Sequence, residues 1–291
     1  MEHMQLKAMG KLNLGLDVVG RRPDGYHEVR MVMQTVNLYD RIELTAISEP
    51  GISITTNLSF LPTDASNIVY KAADLLIKEF GIQSGLSISL EKHIPVAAGM
   101  AGGSADAAAV LYGMNRMFSL GLSQKQLMER GVKLGADVPY CIVRGTALCE
   151  GIGEIVTSLP ALPACSFLIA KPPVSISTKA VYERLDRTPL DFHPDIDGIV
   201  TDIQAGDLPA MCGKLGNVLE KVTAKKYPRI TEVKDFIREQ GALVSLMTGS
   251  GSAVYGIFET EEEAQKGASA LKKSGLVKQV YVARPYQPKH F

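Results

Sequence analysis

"PVAAGMAGGSADAAAVL", Pro95 to Leu111, decides how the chain is read. Gly99, Gly102 and Gly103 fall close together, and an alanine-rich run follows Ser104. Glycine accepts left-handed backbone conformations and lets a ligand reach the main chain with no β-carbon in the way. The alanine run has strong helix composition. The pattern therefore predicts a helix beginning near Ser104, with unpaired N–H groups at its positive end. Successive N–H groups aimed at one point make an anion cradle. Ser104 adds a hydroxyl suited to a phosphate oxygen or a Mg²⁺ ion. In isolation a glycine turn reads first as one that packs a helix tightly on a sheet. A strand before it, a serine at the helix start and alanines after it shift the reading to the cradle. The stretch is not a Walker A loop, since no lysine follows the glycines, and "GMAGGS" does not fit G-x-G-x-x-G. The H-R-D and D-F-G marks of protein kinases are missing.

Upstream, "GLSISLEKHIPV" reads as the strand that enters the turn. "SNIVYKAADLLIKEFG" reads as a helix capped by Ser66 or Asn67 and ended by Gly81. "KLNLGLDVV" alternates Leu12, Leu14, Leu16 and Val18 with polar or small residues, the period of a half-buried strand. "RRPDGYH" is a turn, and "RIELTAI" with "GISITT" is expected as a hairpin. Downstream, "SQKQLMERGVKLG" carries a capping box, Ser123 with Gln126, and a stop at Gly135. "VPYCIVRGTALCEGIGE" reads as short strands and turns. Prolines and small residues in "SLPALPACS" suggest a boundary, giving domains 1–160 and 161–291. The second half predicts a strand from Cys165 to Ala170 and helices over Leu208–Lys225 and Pro228–Gln240. Strands "ALVSLMTG" and "SAVYGIFE", a helix capped by Thr260 and a last strand "VKQVYVARP" follow. This is an α+β pattern without strict βαβ repetition.

The chain has 291 residues, enough for two domains. Its 31 Lys and Arg balance its 31 Asp and Glu, so no net field favours nucleic acid or a membrane surface. Cys141, Cys149, Cys165 and Cys212 form no C-x-x-C pair and read as buried reduced thiols. His3, His93, His193 and His290 show no metal-site spacing. The N-terminal stretch lacks the apolar segment of a secretory signal, and no apolar run approaches the ~20 residues of a membrane span. The expectation is a soluble, cytoplasmic protein.

"PVAAGMAGGSADAAA" resembles the second motif of the GHMP small-molecule kinases. "KLNLGLDVVGRRPDGYHEV", with its D-G-Y-H, is similar to the first motif of one branch. "LGADVPYC" is similar to that branch's aspartate segment, and "LMTGSGSAVYGIF" to the family's third motif. The pieces run in family order from Lys11 to Phe258. Ala97 and Ala101 stand where the family often has glycine, and Gly10 where alanine is usual.

The resemblance implies a two-domain fold with ligands in the cleft between the domains. The N-terminal domain would be like ribosomal S5 domain 2 and the C-terminal one ferredoxin-like. It implies ATP as donor with Mg²⁺. The acceptor would be the 2-hydroxyl of 4-diphosphocytidyl-2-C-methyl-D-erythritol, in the non-mevalonate isoprenoid route. Pro95, Val96, Ala97, Ala98, Gly99, Met100, Ala101, Gly102, Gly103, Ser104 and Ala105 would hold the ATP phosphates. Asp137 would accept the hydroxyl proton, with Lys11 stabilising developing charge; in isolation both read as ordinary strand-end and turn residues.

Asn13, two residues after Lys11 and on the same strand face, would bond the substrate. Tyr26 would stack on the pyrimidine and His27 bond its polar edge. Tyr182 would form the second face, with Thr178 nearby, although a core tyrosine is an equal reading. Gly249, Ser250 and Gly251 would buttress the phosphate loop and bind the substrate near its reacting end, where otherwise they make a plain hairpin turn. The partner is thus a small molecule, with no nucleic acid or membrane, and monomer or homodimer is left open. Two alternatives stand beside this: a sister kinase of homoserine or mevalonate type, and a nucleotide-binding protein that has lost turnover.

Overall fold

Two long strands, β1 (His3–Arg21) and β2 (His27–Ile47), pair antiparallel and carry the first sheet. The computed structural model describes residues 2–288, so His290 lies outside the described residues. After β2 come β3 (Ile52–Thr56), α1 (Ile68–Phe80), β4 (Gly85–Glu91), α2 (Gly102–Met117), α3 (Gln124–Gly131), α4 (Val138–Val143), β5 (Thr146–Glu150) and β6 (Ile155–Ser158). α1 begins where Asn67 accepts from Val69 N–H and stops at Gly81 in the left-handed region. The capping box of Ser123 and Gln126 starts α3 as expected.

The expected hairpin of "RIELTAI" and "GISITT" does not form. β4 lies between β2 and β3, antiparallel to the first and parallel to the second. Leu86 N–H donates to Gly51 O at 2.8 Å. A β-carbon on Gly85 would lie 2.0 Å from Glu49 O. The link between β2 and β3 therefore crosses the end of β4, and only glycine fits there. "VPYCIV" is likewise a helix, α4, with Pro139 in its first turn where a proline costs no hydrogen bond.

The second half runs β7 (Ser166–Lys171), α5 (Thr178–Leu185), α6 (Ile196–Ala205), α7 (Leu208–Lys214), β8 (Gly216–Asn217), α8 (Val218–Lys226), α9 (Arg229–Glu239), β9 (Val244–Met247), β10 (Val254–Phe258), α10 (Glu261–Ser274) and β11 (Gln279–Ala283). Its own sheet has the order β11-β7-β10-β9 with every pair antiparallel. This is the sheet order of a ferredoxin-like unit, with α9 and α10 packed on it.

The helix expected over Leu208–Lys225 is broken. Gly216 and Asn217 instead pair parallel with Gly15 and Leu16 of β1. Asn217 caps α8 by accepting from Leu219 N–H, and its amide donates to Met247 O and Gly249 O, each at 2.8 Å.

β1 is buried on both faces from Gly10 to Val18, not on one. Leu12, Leu14, Val32 and Val36 share a buried cluster with Phe167, Ile169, Tyr255 and Ile257 of the second sheet. On the opposite face α2 lies flat on the first sheet. A β-carbon on Gly113 would come to 2.5 Å from both Leu6 and Leu44. The alanines of α2, Ala105, Ala107, Ala108 and Ala109, are all buried. Small side chains let this central helix approach its neighbours closely, which is why it reads as alanine-rich rather than amphipathic. Both faces of β1 being covered fixes Lys11 and Asn13 in the interior.

Candidate active site

Lys11 reaches the site through an irregularity. The β1–β2 register shifts between Met9 and Lys11, and Lys11 N–H donates instead to Met100 O at 3.1 Å. Such a bulge re-aims a side chain. The Lys11 side chain is 4% exposed. Its ammonium donates to Asn13 Oδ1 at 2.5 Å and to Gly99 O at 2.8 Å. Of its three hydrogens, the third is left for the cavity, where Asp137 Oδ2 stands 3.9 Å away. Asp137 precedes α4 and makes no capping hydrogen bond, so its carboxylate, 32% exposed, remains available.

The glycine-rich stretch is a strained concave turn. Ala97, Gly99 and Ala101 have φ of 52°, 74° and 55°. Left-handed residues at alternate positions bend the chain into the form of an anion nest. α2 begins at Gly102, two residues earlier than the composition suggests, and no side chain caps it. Its first N–H groups are therefore free for an anion. Alanine in the left-handed region costs about 1–2 kcal/mol. Ala101→Gly is thus expected to raise stability by about 1 kcal/mol, a gain of a few °C in Tm, read by thermal denaturation. An unchanged or lower Tm would count against strain at this position.

The third motif interlocks with this turn. A β-carbon on Gly99 would lie 2.1 Å from Thr248 O, and one on Gly249 would lie 2.9 Å from Gly99 O. Ala253 N–H donates to Ala98 O at 3.1 Å, and the Thr248 hydroxyl donates to Gly99 O at 3.3 Å. Thr248 also accepts from Asn13 N–H at 3.0 Å. Of the three residues expected to buttress the turn, Gly249 packs against Gly99 O, whereas the hydrogen bonds to the turn come from Thr248 and Ala253.

Beneath the turn lies a charged cluster that the sequence reading missed. The Lys92 ammonium is bonded to Asp40 and, at 2.6 Å, to Asp106 Oδ2. All three side chains are at most 5% exposed. Asp40 Oδ1 also accepts from His93 and Ile94 N–H at 2.5 and 2.7 Å, whereas Asp106 Oδ1 has no partner. Burial pushes the Asp106 carboxyl well above the usual range and nearby Asp40 pushes it further, while Lys92 opposes both. Burial pulls the Lys92 ammonium down, but Asp106 and Asp40 together hold it above its ordinary value. A β-carbon on Gly102 would touch Lys92 Nζ at 3.2 Å, so the cluster sits directly under the start of α2. A lone acid within an alanine helix was the available sign.

These groups line one cavity of about 1020 Å³, the size of a small-molecule site. Lys11, Asn13, Tyr26, His27, Asp137, Thr178, Tyr182, Gly249, Ser250 and the stretch from Pro95 to Ser104 all line it. Ala105 and Gly251 do not: Ala105 is buried in α2, and a β-carbon on Gly251 would meet Met247 Sδ at 2.6 Å. Beyond the glycine turn the wall is formed by Leu61, Pro62, Asn67, Ile68 and Leu90, which nothing in the sequence marked. At the other end stand the turn after β1 and the helix α5. Tyr26 is 59% exposed there. The His27 ring lies against Tyr182, centroids 4.7 Å apart and planes at 32°. Thr178 Oγ1 and Ser250 Oγ are 2.9 Å apart.

The four cysteines are free and buried, and burial pushes the Cys165 and Cys212 thiols up to about 12. Among the described residues, no group of three or more His, Cys, Asp or Glu could hold a metal. No helix there is long and apolar enough to cross a membrane.

Comparison with known proteins agrees with this architecture. The chain is 52% identical over 288 residues to the 4-diphosphocytidyl-2-C-methyl-D-erythritol kinase of Lachnospira eligens, covering 99% of this chain and 100% of that one. It is similar to a crystal structure of 4-(cytidine 5'-diphospho)-2C-methyl-D-erythritol kinase, with TM-score 0.83 and 30% identity over 98% of this chain and 100% of that one. A homoserine kinase from Cytophaga hutchinsonii, at 22% identity and TM-score 0.79 over 98% of this chain and 95% of that one, shares the fold. Residues 67–145 match the GHMP kinases N terminal domain and residues 199–276 the GHMP kinases C terminal domain. With its glycine turn, its paired sheets and these matches taken together, the chain belongs to the GHMP kinase family.

Proposed function

We infer that the protein is an ATP-dependent kinase that phosphorylates the 2-hydroxyl of 4-diphosphocytidyl-2-C-methyl-D-erythritol, giving the 2-phosphate and ADP. One observation carries the chemical part. The Lys11 ammonium is bonded to the Gly99 carbonyl of the anion turn and stands 3.9 Å from Asp137 in the same cavity. The triphosphate lies in the turn, with its terminal group against the free N–H groups of α2. Lys11, held by Asn13 and Gly99, offers its remaining hydrogen to a phosphoryl oxygen and neutralises charge as the phosphorus–oxygen bonds exchange. Asp137 receives the proton of the acceptor hydroxyl. Because Lys11 is anchored to the turn itself, movement of the phosphates and of the ammonium is coupled.

The purine is assigned to the apolar end of the cavity, over Leu61, Pro62, Ile68 and Leu90. The cytosine is assigned to the opposite end, between Tyr26 and Tyr182, with His27 at its edge. Mg²⁺ is assigned as a companion of the triphosphate, whose oxygens are the hard ligands it prefers. Ser104 is the hydroxyl in the turn that would reach it, and the ion would supply further charge neutralisation. We also assign residues 1–160 and 161–291 as the two domains and the cytoplasm as the compartment.

The test is ADP release against a panel of acceptors. The expected result is turnover with the cytidine compound and none with homoserine or mevalonate. Turnover of either of those in place of the cytidine compound would overturn the assignment. ATP binding without turnover on any acceptor would instead make the protein a sensor.

A further inference from the structure

The cytosine end of the cavity is built from two segments far apart in the chain. The end of β1 brings Arg21, and the turn into β2 brings Tyr26 and His27. The helix α5 brings Thr178, Tyr182 and Asp186, which are spaced four apart and so share one helix face. Asp186 is the C-cap of α5, and it joins the two segments. Its Oδ1 is 2.6 Å from His27 Nε2, and its Oδ2 is 3.4 Å from an Arg21 nitrogen. One turn back, Tyr182 lies under the His27 ring.

The placement of this acid is informative. A helix C-terminus carries partial negative charge and disfavours a carboxylate, although Arg184 stands in the last turn of α5. The hydrogen-bond and ion-pair partners of Asp186, His27 and Arg21, lie outside its helix. The hydrogen bond from His27 holds the Asp186 carboxyl below its ordinary range, helped by the charges of His27 and Arg21. The pair is partly shielded, with the His27 side chain 11% and that of Asp186 26% exposed. A carboxylate oxygen has no hydrogen to give, so His27 Nε2 carries one. This anchors one edge of the ring and leaves Nδ1 as its other polar atom.

We propose that Asp186 is a positioning residue of the acceptor site, clamping His27 onto Tyr182 and so fixing the width of the slot that receives the cytosine. The proposal rests on the cytidine reading of this end of the cavity. Tyr26, exposed and on the same turn as His27, is the wall that closes over the base. Tyr182 is the opposite wall, and Asp186 holds His27 at the edge of the slot. Without the carboxylate, His27 can swing into the slot, and the turn loses its tie to α5. Lys11, Asp137 and the anion turn make no contact with Asp186, so the chemical step and ATP binding are insulated from it.

The experiment compares Asp186→Ala and Asp186→Asn with the wild type in steady-state kinetics, using CDP as an inhibitor competitive with the acceptor. For Asp186→Ala the acceptor KM and the CDP inhibition constant should both rise about tenfold, the effect of leaving a shielded donor unpaired. kcat and the ATP KM should stay within about twofold. Asp186→Asn keeps an acceptor oxygen for His27 and should recover much of the loss. A partly exposed ion pair adds little to stability, so both variants should melt with the wild type. A purely structural role would instead lower the melting temperature without splitting KM from kcat.

Unchanged acceptor KM and CDP inhibition in both variants, against a wild type that CDP does inhibit, would overturn the proposal alone. A fall in kcat with KM unchanged would overturn it too. A wild type that CDP does not inhibit would overturn the cytidine reading of the pocket, and the proposal with it.

Discussion

Asp137→Asn is expected to lower kcat by about a thousandfold, the range lost when a positioned proton acceptor is removed. Its carboxylate makes no capping hydrogen bond to α4, and the near-isosteric amide should leave folding and ATP binding intact. Lys11→Ala should reduce turnover by a comparable factor. That change also strips Gly99 O and Asn13 Oδ1 of a donor inside the site. Some loss of stability and a weaker grip on ATP should accompany it, which Asp137→Asn should not show. Single-turnover rates with saturating ATP and acceptor separate the two effects. A rate near wild type for either variant would remove that residue from the chemistry.

Lys92→Met should be the most damaging change to the fold outside the hydrophobic core. It leaves Asp40 and Asp106 facing each other with no cation between them. Breaking a buried ion pair by removing one partner costs about 3–5 kcal/mol, a large share of a typical net stability of about 5–15 kcal/mol. Asp106→Asn should cost far less. Its amide keeps an oxygen for Lys92 and gains a hydrogen that can face Asp40.

The pH dependence should differ in a defined direction. The Asp106 pKa is raised in the folded state from an ordinary 3.8, so the folded protein holds that proton more tightly. The stability it contributes is fully present below the ordinary value and is lost as pH rises through the folded one. The raised Lys92 pKa acts at the other end of the scale: its contribution is complete below 10.5 and is lost as pH rises from there through the folded value. Asp106→Asn should therefore flatten the acid-side decline of stability with rising pH and leave the alkaline side as it was. Urea unfolding across pH reads both, and an unchanged slope in Asp106→Asn would contradict the assignment.

What could be read in the sequence was local. The glycine turn, the helices begun by Asn67, Ser123 and Thr260, and the pairing of Lys11 with Asn13 on one strand face each depend on neighbours a few residues away. What could not be read depends on partners far along the chain. β4 enters between β2 and β3 because of backbone contacts at Gly85 that no periodicity encodes. Gly216 and Asn217 sit within a helical composition and become a strand only because β1 has a free edge at Gly15. β1 alternates like a half-buried strand, yet a sheet built from the second half of the chain covers its other face. The same holds at the site. Lys92 looks like a strand-end lysine until Asp40 and Asp106 converge on it, and Asp186 looks like a surface acid until His27 meets it. Ala97 and Ala101 stand where the family often has glycine, and both positions do require the left-handed conformation.

The most direct test of the account is a crystal structure of the protein with a non-hydrolysable ATP analogue and the cytidine acceptor bound together. The account predicts the terminal phosphate in the turn from Ala97 to Ser104, within hydrogen-bonding distance of Lys11. It also predicts the acceptor hydroxyl lying between that phosphate and Asp137, with the cytosine beside Tyr182. A triphosphate bound away from that turn, or an acceptor hydroxyl out of reach of Asp137, would contradict it.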